Sequence, residues 1–69
     1  MRGYYEVIGN DAKKGTRWIV YRGTRKVEAL KAANGFKSGR QRFVSISYFN
    51  DGRVFGLNRD GEVISVKEV

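Results

Sequence analysis

A chain of 69 residues with no cysteine and no histidine, carrying a formal net charge of +7 from 14 Lys and Arg against 7 Asp and Glu, has room for one domain, residues 1–69. The lack of cysteine excludes a disulfide framework, and without Cys or His neither the customary zinc ligands nor an imidazole base at neutral pH is present. No apolar run approaches the ~18 residues of a membrane span, and the N-terminus has no signal-peptide hydrophobic region. The expectation is a cytoplasmic protein with no membrane partner and no cofactor.

The first predicted strand is Tyr4–Ile8, rich in aromatic and β-branched side chains. Gly9, Asn10 and Asp11 read as the opening of a turn that closes at Gly15 and carries Lys13 and Lys14 at its tip. Thr16–Arg22 is the second strand. Strict alternation places Trp18, Val20 and Arg22 on one face and Arg17, Ile19 and Tyr21 on the other. Thr24 is a suitable N-cap for a helix from Arg25 to about Asn34, docked through a stripe of Val27, Leu30 and Ala33. Gly35 suits the left-handed position after the helix, with Phe36 folding back onto it.

After a loop containing Lys37 and Arg40, Arg42–Phe49 alternates Val44, Ile46 and Tyr48 with Phe43, Ser45, Ser47 and Phe49. Asn50-Asp51-Gly52 is a hairpin signal, Arg53–Leu57 returns, Asp60-Gly61 makes a second turn, and Glu62–Val69 closes. The fold class is therefore α+β: a single curved antiparallel sheet of about five strands, β-β-α-β-β-β, with one helix packed on one face. The expected core is Tyr5, Val7, Trp18, Val20, Val27, Leu30, Ala33, Phe36, Val44, Ile46, Tyr48, Phe55, Leu57, Ile64 and Val66.

The charge is not spread evenly. Residues 13–42 contain ten of the fourteen cations and one acid, Glu28, whereas the flanking segments each sum to −1. A positive field concentrated in this way attracts polyanions, nucleic acid foremost. Candidate phosphate contacts are Lys13, Lys14, Arg17, Arg22, Arg25, Lys26, Lys37, Arg40 and Arg42, expected to fold into one contiguous patch. Trp18, Tyr21, Phe43 and Phe49 are interleaved with them as candidate platforms for unpaired bases. Catalysis is not expected, because no histidine activates a serine and four of the seven acids sit in or beside predicted turns. The leading expectation is a small basic nucleic-acid-binding module, for DNA or RNA, of low sequence specificity.

The order of Lys14-Gly15-Thr16, Ala29–Ala33, Phe36, Phe43–Ile46, Asp51-Gly52 and Asp60-Gly61 resembles a class of very small phage proteins that includes some anti-CRISPR inhibitors. That resemblance implies an alternative: a phage-type inhibitor that blocks a host defence complex by protein–protein contact. Its partner would be an acidic protein surface or a CRISPR-type ribonucleoprotein.

Overall fold

The computed structural model describes residues 3–68. Strands β1 (Tyr4–Asp11) and β2 (Thr16–Gly23) precede helix α1 (Lys26–Asn34), which is followed by β3 (Arg42–Asn50), β4 (Arg53–Leu57) and β5 (Val63–Glu68). The strands form one open antiparallel sheet in the order β2-β1-β3-β4-β5. The α+β class and the single sheet are as expected. Val69, the predicted last residue of the final strand, lies outside the described residues.

Val7, Ile46 and Leu57 stand opposite one another across β1, β3 and β4 and form the buried row of the sheet. Ala29 and Ala33, one helical turn apart, are fully buried against that row. Neither alanine has atoms beyond Cβ, so the helix backbone can approach the strands closely. Burying each of the larger aliphatic side chains is worth about 1.5–3 kcal/mol. The helix therefore docks through Ala29 and Ala33 with Leu30 half-buried, and Val27, expected in the stripe, is 67% exposed.

Both helix ends differ from expectation. Arg25, in extended conformation, occupies the N-cap in place of Thr24 and supplies no side-chain cap. Its backbone N–H donates to the Tyr21 hydroxyl at 3.3 Å. Gly35 is right-handed (φ −80°), and the last turn closes through Gly35 N–H to Lys31 O and Phe36 N–H to Ala33 O. Phe36 then packs on Trp18, with ring centroids 5.9 Å apart.

These two rings explain Gly9, which is a strand residue and not the start of a turn. β1 continues to Asp11, and the turn is Ala12–Gly15, with Gly15 at φ +66°. A Cβ at Gly9 would stand 2.8 Å from Trp18 Cε2 and 2.9 Å from Phe36 Cε2. At the opposite end, Asp51 (φ 55°) and Gly52 (φ 78°) make the turn with two left-handed residues that Asp-Gly favours between twisted strands.

Among the described residues, helix α1 lies over β1, β2 and β3, with Leu57 of β4 at the margin of the shared core. That leaves β5 exposed along its whole length, with Ile64 68% and Val66 55% exposed, contrary to their place in the expected core. Trp18 is also 38% exposed. Tyr5 packs its ring 4.4 Å from that of Tyr48. Burial first, and the neighbouring Tyr48 hydroxyl second, hold the Tyr5 hydroxyl above the ordinary phenol value.

The decisive irregularity is a β-bulge. Val7 pairs with Tyr21 but Ile8 pairs with Ile19, so Val20 has no opposite number on β1. The extra residue shifts the alternation by one. Trp18 and Tyr21 both fall on the helix side, opposite Gly9 and Val7, while Arg17, Ile19 and Arg22 all fall on the open side, opposite Asn10, Ile8 and Glu6. Strict alternation had separated Arg17 from Arg22 and grouped Tyr21 with Arg17.

Gly9→Ala is expected to destabilise the protein by about 1–3 kcal/mol, because the added methyl overpacks the Trp18–Phe36 pair. Gly39→Ala, where nothing lies within 4 Å of the new Cβ, should stay within about 0.5 kcal/mol of the parent. Urea denaturation of the two variants checks the contrast. A raised Tyr5 value means that the folded state holds its proton more tightly than the unfolded chain. The associated stability is present at neutral pH and is lost as pH rises through the raised value. Tyr5→Phe should therefore flatten the decline of Tm above about pH 10.

Candidate nucleic-acid interface

On the side of the sheet away from α1, the register sets the side chains in four rows. Arg17, Asn10 and Phe43 form the first, and Ile19, Ile8 and Ser45 the second. The third runs Arg22, Glu6, Ser47, Gly56, Ser65, and the fourth Tyr4, Phe49, Val54, Lys67. No helix covers this face among the described residues. Its middle is floored by serines and glycine, and its aromatic rings stand at the two ends.

Tyr4 and Phe49 stack at 4.8 Å with their planes 12° apart, and the Arg22 guanidinium lies over Tyr4 at 5.0 Å. Arg22 Nε is also 3.7 Å from Glu6 Oε2. Phe43, by contrast, is 51% exposed. It lies beyond the paired length of β4, which begins opposite Ile46, so its row ends with it. Between Phe43 and Arg17 is a pocket of about 250 Å³, also lined by Asn10, Asp11, Ala12, Gly15 and Thr16.

Asn10 is the one buried polar side chain among the described residues. Its Nδ2 donates to Ile8 O at 3.3 Å, Ser45 Oγ at 3.3 Å and Phe43 O at 3.5 Å. The bonds to Ser45 and Phe43 tie β1 to β3 beneath the pocket, and Oδ1 accepts no hydrogen bond among the described residues.

The strongest concentration of charge is at the adjoining end of the sheet. The Ala12–Gly15 turn brings Lys13 and Lys14, and the loop 37–41 brings Lys37 and Arg40. The two segments are joined by Ala12 N–H donating to Gln41 O at 2.7 Å. Asp11 braces the turn: its Oδ1 accepts from the Lys14 N–H at 3.1 Å, and its Oδ2 is 4.0 Å from Arg42 Nε. Arg42 lies across the Phe36 and Trp18 rings at 5.1 and 5.7 Å. Arg59, outside the charged segment read from the sequence, joins this pole by donating from Nη2 to Ser38 Oγ.

The expected single patch is thus divided. Lys13, Lys14, Arg17, Lys37, Arg40 and Arg42 gather at one end. Arg22 lies farther along β2, opposite Glu6, four β1 residues from Asn10, which is ~13 Å at the strand rise. Arg25 and Lys26 sit at the helix start, and the Lys26 stem packs beside Gly61. Of the four candidate rings, Phe43 and Phe49 are on the open face. Trp18 and Tyr21 are not, because the bulge turns both to the helix side. Sequence reading missed Tyr4, Asn10 and Arg59. Tyr4 was visible only as a strand residue, and its partner Phe49 follows from register alone.

Chemically, the pole offers exposed ammonium and guanidinium groups to anions. Among the described residues, no cluster of three or more acidic side chains is arranged to hold a metal ion, and no helix is long and apolar enough to cross a membrane. No protein-family model matches the chain, and no curated protein or solved structure is significantly similar to it.

Proposed function

We propose that this protein is a small nucleic-acid-binding module that engages phosphates with little sequence preference. The observation that carries the reading is the joining of the Ala12–Gly15 turn to the 37–41 loop. It sets Lys13, Lys14, Lys37 and Arg40 together beside Arg17, with Asp11 as the acid built into the same turn. Exposed cations at this density displace condensed counterions from a phosphate backbone, and the entropy of their release drives binding without reading bases. The four carry no ion pair among the described residues, so they reach a ligand without first breaking an internal contact. Arg42 acts differently. Held by Asp11 and two rings, it fixes the pole and adds its field.

A fluorescence-anisotropy titration of salt against affinity tests the mechanism. If six cations meet phosphates, log Kd should vary with log salt with a slope of about 5 on duplex and about 4 on single strands. Reversing Lys13 and Arg40 to Glu should lower that slope by roughly 2 and weaken all sequences alike. Affinity independent of salt would contradict a phosphate-directed module and favour protein contact by the same surface.

A further inference from the structure

Phosphate contacts alone do not distinguish paired from unpaired strands, but the open face beside the basic pole has a feature that does. The first row of that face places a guanidinium, a buried amide and a half-exposed ring side by side across three strands: Arg17, Asn10 and Phe43. The three line one pocket of about 250 Å³ that opens next to Lys13 and Lys14. We infer that this pocket is a subsite for one unpaired nucleobase, so that the module takes single-stranded nucleic acid in preference to duplex. The inference rests on the nucleic-acid reading above and adds the class of strand and the residues that select it.

Three properties of the pocket fit a flat heterocycle. Phe43 is not engaged in a ring pair with any described residue, unlike Tyr4 and Phe49, whose faces are taken up by each other and, for Tyr4, by Arg22. Its ring is therefore free to stack, and every base has a π-face to offer it. Arg17 faces it across Asn10, and a guanidinium plane accepts a base by stacking as a ring does. The floor is polar: with Nδ2 bound to Ile8, Phe43 and Ser45, Asn10 Oδ1 can accept from an exocyclic amino group. A base in a duplex has its faces covered by its neighbours and cannot enter. A base in a single strand enters while its flanking phosphates remain within the field of Lys13 and Lys14.

The experiment compares a labelled mixed-sequence 12-nucleotide single strand with the matching duplex, by anisotropy at fixed salt, for the parent, Phe43→Leu and Phe43→Tyr. Removing the ring should weaken single-strand binding roughly 5- to 150-fold, the range for loss of one stacked base. Duplex binding should change less than about twofold, the phosphate contacts being intact, and Phe43→Tyr should restore the parent value. Because Phe43 is half-exposed, its leucine variant is expected to keep the parent Tm, measured in parallel. Equal losses on both ligands, or an unchanged single-strand affinity in Phe43→Leu, would overturn the subsite while leaving the phosphate reading standing. Failure of the parent to bind either ligand would remove the phosphate reading and the subsite with it.

Discussion

One unpaired residue in β2 determines what each side of this sheet presents. Val20 has no partner on β1, and its insertion means that Trp18 and Tyr21, three positions apart, share the helix side. Regular alternation would have sent one of them outward. Trp18 covers Gly9 and meets Phe36; Tyr21 lies over Val7 and receives the backbone N–H that opens α1. The same insertion brings Arg17 and Arg22 out together on the open face. Closure of the core over β2 and the joint exposure of Arg17 and Arg22 on the open face are consequences of a single register shift.

The core that results is narrow. Among the described residues five apolar side chains are buried, two of them alanines, and a chain of this length hides only ~60% of the surface it exposes when unfolded. Its stability rests on close approach more than on bulk: Ala29 and Ala33 let the helix sit low, and Gly9 lets two rings close over a strand. Polar bonds reinforce this at the edges. Asn58 Oδ1 accepts from the backbone N–H groups of Asp60 and Glu62, and Asn34 Nδ2 reaches Arg59 O at 3.4 Å. The β4–β5 turn is thereby fastened against the helix, bringing Arg59 to the basic pole.

Much of this was legible in the sequence. Alternation at Val44–Phe49, the Asp51-Gly52 and Asp60-Gly61 turns and the helix between Gly23 and Gly35 follow from local chemistry, and so does the element order. What local chemistry cannot supply is register. The bulge at Val20 has no glycine to mark it, so local chemistry does not reveal the faces of Tyr21 and Arg22. The helix face was misread because Val27 is the more apolar residue, whereas the sheet selects Ala29 for its size. Ile64 and Val66 are apolar enough for a core, but one short helix does not reach β5. Asn10 read as a turn residue because its neighbours are Gly9 and Asp11; its burial depends on Ser45 and Phe43, more than thirty residues away.

On the proposed function, ligand meets the end of the sheet where the first turn and the post-helix loop join, and spreads from there onto the uncovered face. Backbone amide chemical shifts, followed by NMR while a short single-stranded oligonucleotide is added, report this residue by residue. The prediction is that the largest changes fall on Asn10–Arg17, Lys37–Phe43 and Ser45, with α1 and β5 little affected. Changes concentrated along Val63–Glu68 and the exposed side of α1, with the first turn silent, would contradict it.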